Sequence, residues 1–373
     1  MKLTDAATIP PAYRGAFDAV DRGWFIPARM WVREHLSHGT DEDTDDDIAV
    51  DRDTEPELWE RAVYADVPIV TQWDDGDTRW PDVGYLPTCS ASAPSVVAAM
   101  LSTLDPQPGD TVLEIGTGTG YNAALLSDIV GETGRVVTVE VDPAVAGDAA
   151  ARLARYPNVE VITGDGLEPI RGQWNRVIAT ASVHLGRVPY WWVAGSRPGG
   201  VLVAPMRSDM TTGPLVRFVV GDDDTAIGFA TPQQVGFMSL RAQRPAGGGF
   251  SRIPWDDPTA DTTGTALAPW VPLLDPEHCW PIALALPGCR FDAWPATDER
   301  PHGVALLSDP LTGSWASVVP TDDEDRFTVR QHGPRRLWDA AETAYRWWQQ
   351  RGRPPLSAWR WTISADRQSC TLD

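Results

Sequence analysis

The sequence predicts an α/β protein with a parallel sheet, because short apolar runs alternate with helical stretches between residues 106 and 244. Continuous apolar runs are typical of parallel strands, which are buried on both faces. Strands that alternate with helices are joined by right-handed crossovers into one sheet. The predicted strands are Thr111–Ile115, Arg135–Glu140, Val159–Thr163, Arg176–Thr180 and Gly200–Ala204, and the helices between the first three are Tyr121–Val130 and Ala144–Arg155.

Changes in composition divide the chain into parts. At about 150 residues per domain, a chain of 373 residues is expected to form two domains. The α/β pattern stops near Arg244, where Pro245–Gly249 is a plausible linker. We predict an N-terminal helical segment on the substrate side over 1–105, the α/β core over 106–244 and a smaller α+β accessory unit over 245–373. The elements predicted in this last unit are a hairpin around Asp309–Gly313, a helix over Pro334–Gln350 and a strand over Trp359–Ser364.

Residues 41–60 are dense in carboxylates and read DEDTDDDIAVDRDTEPELWE. Like charges this close oppose compaction, so we predict a solvated, flexible loop inserted into the N-terminal segment. An acidic surface that recruits a basic substrate segment is the alternative. The run does not match a calcium-binding EF-hand loop, because its glycine and distal glutamate are misplaced.

The net charge of −21, from 31 basic and 52 acidic residues, argues against binding to phosphate backbones and anionic membranes. There is no run of about 18 apolar residues that would predict a membrane-spanning helix, and the first twenty residues lack the apolar centre of a secretion signal. The four cysteines are isolated, which predicts neither a disulfide framework nor a zinc site. We expect a cytoplasmic protein without bound metal and without nucleic-acid or membrane partners.

A glycine-rich loop follows the first predicted strand of the core. The sequence Glu114-Ile-Gly-Thr-Gly-Thr-Gly120 places glycines where the backbone turns sharply and can approach a ligand closely. A similar GxGxxG loop binds dinucleotides, and a P-loop would need a following lysine, which is absent here. The loop alone leaves open whether the glycines bind a cofactor or only make tight turns.

Three acidic residues accompany three successive strands. Glu114 lies in the first strand, Glu140 ends the second, and Asp165 follows the third. The position of Glu140 suits two ribose hydroxyls, and that of Asp165 suits an adenine amino group. S-adenosyl-L-methionine has ribose, adenine and a positive centre but no phosphate, so the pattern favours it over a nicotinamide or nucleotide.

The combined pattern predicts a class I S-adenosylmethionine-dependent methyltransferase with a Rossmann-like fold, whose product from the cofactor is S-adenosyl-L-homocysteine. The predicted cofactor-binding residues are Glu114, Gly116, Thr117, Gly118, Gly120, Glu140, Asp165 and Gly166.

Five motifs occur in order over residues 10–235. They are Trp24-Phe25-Ile26-Pro27, Val63-Tyr64-Ala65-Asp66, Ser90-Ala91-Ser92-Ala93-Pro94, the run from Val112 to Tyr121, and Arg197-Pro198-Gly199-Gly200-Val201-Leu202-Val203. In this order they resemble the protein-L-isoaspartate O-methyltransferase family. The resemblance implies that Ser92, in the family's T-I-S-(A/Q)-P motif, is the catalytic residue beside the transferred methyl group and the substrate carboxylate. It also implies substrate contacts at Ser90, Ala91 and Pro94.

Two departures from the family pattern affect the predicted substrate. The motif reads Cys89-Ser90-Ala91-Ser92, and the acidic segment separates the first two motifs. In addition, about 130 residues beyond Arg244 have no counterpart in the single-domain repair enzyme. This layout resembles the actinobacterial branch that accompanies ribosomally synthesised and post-translationally modified peptides, such as lanthipeptides, graspetides and lasso peptides.

Membership of that branch implies methylation of an aspartate in a macrocyclised precursor peptide, leading to succinimide (aspartimide) and to isoaspartate when the succinimide opens. The C-terminal unit over 245–373 is then expected to help bind the precursor. General repair of isoaspartate in damaged proteins is the first alternative. A catalytically silent binding module that has kept the fold is the second.

Polar residues after the fourth strand are further candidates for substrate contact, since open α/β sheets bind ligands at the carboxyl ends of their strands. They are Thr180, Ser182 and His184, and for His184 a chance loop position is the alternative. Cys89 lacks an identifiable histidine partner, which favours a packing role over that of a nucleophile. The aromatic clusters Tyr190–Trp192 and Tyr345–Trp348 favour core packing, with peptide binding as the alternative.

Overall fold

The computed structural model describes residues 3, 7–33, 47–244, 250, 253–297, 303–323 and 325–372. The strands are β1 (Arg29–Arg33), β2 (Asp47–Asp51), β3 (Ile69–Trp73), β4 (Pro87–Ala91), β5 (Thr111–Ile115), β6 (Arg135–Glu140), β7 (Val159–Thr163), β8 (Trp174–Ala179), β9 (Val183–His184), β10 (Ser196–Arg207), β11 (Thr212–Val220), β12 (Ala226–Gln234), β13 (Asp261–Thr265), β14 (Arg290–Trp294), β15 (Val304–Asp309), β16 (Ser314–Pro320), β17 (Phe327–His332), β18 (Trp359–Ile363) and β19 (Gln368–Leu372).

Nine α-helices lie within the described residues. They are α1 (Arg14–Ala19), α2 (Pro56–Val63), α3 (Pro94–Leu104), α4 (Tyr121–Val130), α5 (Pro143–Leu153), α6 (Tyr190–Ala194), α7 (Trp270–Leu273), α8 (Pro276–Ala285) and α9 (Leu337–Gln350). Short 3₁₀ turns add Arg22–Trp24, Asp74–Gly76, Arg241–Gln243 and Leu356–Ala358. None of the described helices is both long and apolar enough to cross a bilayer.

A mixed sheet forms the centre of the fold. Its parallel strands lie in the order β7-β6-β5-β8-β10, and β11, β12, β18 and β19 extend it on the β10 side by antiparallel pairing. Because the chain crosses from β7 to the other side of β5, the strand order reverses between β5 and β8. Ligands bind at such a switch point in open α/β sheets.

The predicted core elements are confirmed. β5, β6, β7 and α4 have the predicted bounds, and the second predicted helix is α5, which begins at Pro143. The fourth predicted strand is found as β8, and the fifth is the start of the longer β10. Alternate residues of these strands face opposite layers, so Val112 packs with α1, α3 and α4 whereas Leu113 packs with α6 and the C-terminal helices.

The N-terminal segment differs from the prediction. Besides its helices it contains an antiparallel sheet in the order β2-β1-β3-β4. β2 and the start of α2 lie inside the acidic run, so the prediction of a flexible loop over 41–60 is wrong for residues 47–60, and 41–46 are outside the described residues. Pairing of β2 with β1 and burial of Val50 outweigh the repulsion between the local charges, because the two acidic residues of β2 are its first and last, Asp47 and Asp51.

The C-terminal unit, predicted over 245–373, contributes two strands to the central sheet. The hairpin formed by β15 and β16, the helix α9 and the strand β18 are present as predicted, and β13-β17-β16-β15-β14 form a second sheet. β18, however, pairs with β12, opposing Trp361 to Gly228, and so extends the central sheet. The predicted linker 245–249 lies outside the described residues.

Candidate functional site

A cavity of about 290 Å³ opens at the carboxyl ends of β5, β6 and β8, where the strand order reverses. It is bounded by the glycine loop, by the end of β4 and the start of α3, and by the segment after β12. The predicted residues that line it are Ser90, Ala91, Ser92, Glu114, Gly116, Thr117, Gly118, Glu140, Asp165, Gly166 and Thr180. Eleven of the fifteen predicted site residues therefore meet at one place.

The glycine loop needs glycine at two of these positions. Gly116 has φ +97°, and a Cβ there would lie 2.7 Å from Oγ1 of Thr180. Gly118 has φ +53°, in the left-handed region that costs other residues energy. Thr180 closes the contact, because its hydroxyl donates to the carbonyl of Gly116 over 2.5 Å. The ends of β5 and β8 therefore approach each other closely at the floor of the cavity.

Glu140 ties the second strand to the glycine loop. Its Oε2 accepts from the N–H of Gly118 at 2.9 Å, and its Oε1 accepts from the N–H of Asp142 at 3.1 Å. A carboxylate can accept about four hydrogen bonds. Each oxygen of Glu140 therefore keeps acceptor capacity for a ligand in the cavity.

Asp165 and Gly166 form the third part of this wall. Asp165 is half-buried, and its Oδ1 accepts from the N–H of Leu167 at 2.9 Å. A Cβ on Gly166 would lie 2.4 Å from Cγ2 of Ile115, so only glycine fits beside the first strand. Asp165 thereby reaches the cavity from the end of β7.

Glu114 is a buried carboxyl group beneath the loop. Its two oxygens accept from Asn122 at 2.7 Å and from Thr138 at 2.6 Å, and Thr138 also hydrogen-bonds to Thr117 at 2.7 Å. Burial raises the pKa of Glu114 to about 7, because the hydrogen bonds offset only part of the lost hydration. The network holds Thr117 and the first turn of α4 to the strand.

Ser92 lies between the end of β4 and the first residue of α3. Ser92 is half-buried and lines the cavity. Two residues before it, the carbonyl oxygen of Ser90 would lie 3.6 Å from a Cβ placed on Gly118. The glycine loop and the Ser90–Ser92 segment therefore form facing walls. The first turn of α3 is held by Asp66, whose Oδ1 accepts from the N–H of Ser95 at 2.8 Å.

Four predicted residues do not line the cavity: Gly120, Pro94, Ser182 and His184. Gly120 packs on Leu153, and Pro94 is buried in the first turn of α3. The hydroxyl of Ser182 donates to the carbonyl of Phe237 at 2.6 Å, which anchors the segment after β12.

His184 is buried beside Asp209, with 3.2 Å between Nε2 and Oδ1. This contact is the first cause of the lowered pKa of Asp209. The alternative that placed His184 outside the substrate site fits this position better than substrate contact does.

Sequence reasoning missed several residues of the cavity. Tyr121 and Asn122, in the first turn of α4, line it, and so does the segment 236–241 together with Arg244. Two buried side-chain atoms there, the hydroxyl of Tyr121 and Oδ1 of Asn122, have no partner among the described residues. The position of Tyr121 and Asn122 directly after the glycine loop was the available signal, whereas nothing local marks the 236–244 segment.

Salt bridges hold that segment over the cavity. Arg241 contacts Asp142 at 3.1 Å and Asp75 at 3.0 Å, and Arg244 contacts Asp75 at 2.6 Å. Asp142 also caps α5 through the N–H of Ala144 at 2.9 Å. The chain that leaves the central sheet is thereby fixed to the turn after β3 of the N-terminal sheet and to the start of α5.

Two further predictions from the sequence concern Cys89 and possible metal-binding groups. Cys89 lines the cavity but is buried, and burial raises the pKa of its thiol to about 12, which suits packing rather than nucleophilic attack. Within the described ranges, no three histidine, cysteine, aspartate or glutamate side chains are grouped so that they could hold a metal ion.

The family model described as protein-L-isoaspartate(D-aspartate) O-methyltransferase matches residues 48–244, more than half of the chain. The chain belongs to this family. The match includes the glycine loop, all three carboxylates and Ser92.

Individual relatives agree. A protein-L-isoaspartate O-methyltransferase 2 of Archaeoglobus fulgidus is 36% identical over 155 residues, which are 40% of this chain and 64% of that protein. A protein-L-isoaspartate O-methyltransferase of Ignicoccus hospitalis is 38% identical over 122 residues, which are 32% of this chain and 57% of that protein. The chain thus spans about three fifths of the length of these curated relatives.

A solved structure titled protein-L-isoaspartate O-methyltransferase superposes with a TM-score of 0.53 and 20% identity, covering 98% of this chain and 96% of that one. The predicted class I S-adenosylmethionine-dependent methyltransferase fold is confirmed, and S-adenosylmethionine, the predicted cofactor, is the cofactor of that class. Since the alignment includes the C-terminal unit, the two-part layout also occurs in another protein of the family. The layout therefore does not by itself favour a peptide-tailoring branch.

Proposed function

We propose that this protein is an S-adenosylmethionine-dependent carboxyl O-methyltransferase that esterifies an aspartate-derived carboxylate in a peptide or protein. The observation that supports this most is the convergence of the glycine loop, Glu140, Asp165 and Ser92 on one cavity at the switch point. Each group comes from a different element, and each suits a different part of the reactants.

The walls of the cavity fit the cofactor. Glu140 keeps free acceptor capacity for two ribose hydroxyls, Asp165 suits the adenine amino group, and Gly116 and Gly118 let the backbone approach closely. The carboxylates of Glu140 and Asp165 also favour binding of a cationic ligand beside them. The bound cofactor would supply an activated methyl group on its positive sulfonium centre.

The chain's own task is then to position and dehydrate the acceptor carboxylate. A carboxylate is ionised near pH 7, so methyl transfer needs no general base. Ser92 would donate a hydrogen bond to one carboxylate oxygen and direct the other toward the methyl group. Enclosure between the Ser90–Ser92 wall and the 236–241 segment would exclude water, and the fixed geometry would supply most of the rate.

For the substrate, the proposal is an aspartate in a macrocyclised, ribosomally made precursor such as a lanthipeptide, graspetide or lasso peptide. Esterification turns the side-chain carboxylate into a group that the next backbone N–H attacks, with loss of methanol and closure to succinimide (aspartimide). The unusual Cys89-Ser90-Ala91-Ser92 motif supports an altered substrate. A cavity of about 740 Å³ between α8 and α9 offers the C-terminal unit a place to hold the precursor.

General repair of isoaspartate in damaged proteins is the second candidate. The names of the relatives, which are protein-L-isoaspartate O-methyltransferases, favour it. A binding module without activity is the third candidate, and the convergence of Ser92 with the cofactor-side carboxylates argues against it.

One assay separates the candidates. The protein is incubated with S-adenosylmethionine and either a short isoaspartyl peptide or a cyclised precursor that contains aspartate, and esters and succinimides are measured by mass spectrometry. Selective modification of the precursor supports tailoring, whereas rapid methylation of any short isoaspartyl peptide supports repair. No methylation of either, with micromolar binding of S-adenosylhomocysteine, would point to the silent module.

A further inference from the structure

Arg22 lies directly behind Ser92 and is almost completely buried, with 1% of its surface exposed. Its Nη1 lies within hydrogen-bonding distance of two backbone carbonyls and its Nη2 of three, one of which shares a hydrogen with another, whereas Nε has no partner among the described residues. The donor–acceptor distances are 2.8 Å to Val63, 3.2 Å to Ala65, 3.0 Å to Val67, 3.4 Å to Ala91 and 3.0 Å to Ser92. The catalytic candidate is therefore one peptide group away from a buried cation.

These bonds join three segments that are distant in the sequence. Arg22 belongs to the 3₁₀ turn after α1, the first three acceptors end or follow α2, and the last two end or follow β4. The same α2 turn holds α3 through Asp66 and the N–H of Ser95. The backbone of Ser92 is thus fixed from both sides, by Arg22 and by the turn that Arg22 also binds.

Among the residues that the structure describes, no carboxylate forms an ion pair with Arg22. Its five acceptors are carbonyls, and the groups that favour its charged form electrostatically are Tyr121 and then Asp66. Burial lowers the pKa of Arg22 to about 10, so the group is still a cation at neutral pH. A buried charge that only dipoles compensate costs free energy, and it attracts an anion placed nearby more strongly than a surface charge does.

We propose that Arg22 is a positioning residue for methyl transfer: it fixes Ser92 toward the acceptor carboxylate and makes that wall electropositive, opposite the wall of Glu140 and Asp165. The inference rests on the proposed function. In a protein of net charge −21, such a wall would attract an anionic acceptor to the Ser92 side, while the acidic side would suit the cationic cofactor.

The test compares Arg22→Lys, which keeps the charge but can donate at most three hydrogen bonds, with Arg22→Gln, which removes the charge. Arg14→Gln is the matched control, since Arg14 is exposed and its Nε donates to the carbonyl of Ile9 at 3.2 Å. Methylation kinetics are measured with whichever aspartyl or isoaspartyl peptide the wild type accepts, and S-adenosylhomocysteine affinity is measured by calorimetry.

Arg22→Lys is expected to lower kcat about tenfold with KM nearly unchanged, and Arg22→Gln to lower kcat and raise KM severalfold, while S-adenosylhomocysteine affinity stays within about twofold. In a Ser92→Ala background, Arg22→Lys should change kcat by less than about twofold, because the group that it positions is gone. A purely structural role would give equal effects in both backgrounds.

Unchanged kinetics in folded Arg22 variants, or fully additive effects with Ser92→Ala, would overturn the inference. Should the Arg22 variants not fold, Asp66→Ala loosens the same anchor and must lower kcat without weakening S-adenosylhomocysteine binding. An unchanged kcat in Asp66→Ala would then also overturn it. A wild type that methylates no peptide refutes the proposed function and this inference together, whereas an active wild type with unaffected variants refutes this inference alone.

Discussion

The backbone N–H of Gly118 donates a hydrogen bond to Oε2 of Glu140 over 2.9 Å. This bond joins the glycine loop after β5 to the end of the neighbouring β6, so that the loop and the carboxylate keep one relative position before any ligand binds. The site is preorganised in this respect, because a ligand that contacts both groups does not need to order them.

Replacing Glu140 is expected to weaken cofactor binding. Glu140→Ala removes a charged acceptor, and hydrogen bonds to charged groups contribute about 1.5–3 kcal/mol, so the affinity for S-adenosylhomocysteine should fall about tenfold or more. Calorimetry measures this, and Glu160→Ala, which removes an exposed partner of Arg135 on the adjacent strand, is the control. Equal affinities of wild type and Glu140→Ala would exclude Glu140 from the cofactor site.

Ser92→Ala should reduce turnover and leave cofactor binding intact. Loss of one hydrogen bond to a carboxylate predicts a decrease in kcat of about 10- to 100-fold. S-adenosylhomocysteine affinity should stay within about twofold, because Ser92 is on the wall opposite Glu140. Ser102→Ala, at a helix position where the hydroxyl only bonds the carbonyl of Ala98, controls for the loss of a hydroxyl from α3. A variant with wild-type kcat would remove Ser92 from the mechanism.

Glu114 predicts a specific dependence of stability on pH. Its pKa is raised from 4.5 to about 7 in the folded protein, so the native state binds the extra proton and stability from this group falls as pH rises from about 4.5 to 7. Glu114→Gln places a neutral, hydrogen-bonding side chain of similar size at this position, and this side chain does not titrate. The free energy of unfolding of wild type relative to Glu114→Gln should fall by on the order of 3 kcal/mol between pH 4 and 8. Urea titrations at several pH values measure the difference, and a pH-independent difference would contradict the buried, shifted carboxyl group.

The C-terminal strands should be needed for a stable core. Trp361 on β18 is 3% exposed and packs against Trp280, with ring centroids 5.5 Å apart. Trp361→Ala is expected to lower the free energy of unfolding by about 3–5 kcal/mol in a single transition. Trp24→Ala, at a half-exposed tryptophan on the surface, should cost much less. Two separate transitions, with only one affected by Trp361→Ala, would contradict this expectation and show that the unit beyond residue 245 unfolds independently.

The core of the fold was predictable because its signal is local. The structure of apolar runs such as Thr111–Ile115, and of the glycine loop that follows, is determined mainly by residues close in the sequence. The pairing of β12 with β18 joins segments about 130 residues apart, and no local pattern indicates which strand extends the sheet. Likewise β2 forms within an acidic run because β1 pairs with it, a tertiary effect that outweighs local propensity.

The candidate site divides in the same way. Glu140, Asp165 and Gly116 follow strands whose carboxyl ends must meet, so topology alone brings them together. Arg22, by contrast, reaches Ser92 only through the packing of three separate segments. His184 contacts Asp209 and does not line the cavity. Such contacts depend on side-chain packing, which the order of elements does not specify.

The most direct measurement is a crystal structure of the protein with S-adenosylhomocysteine. We expect the ribose at Glu140, the adenine beside Asp165, and the sulfur above the glycine loop with its open side toward the hydroxyl of Ser92. Density for the ligand in another cavity, or Ser92 turned away from the sulfur, would contradict this expectation.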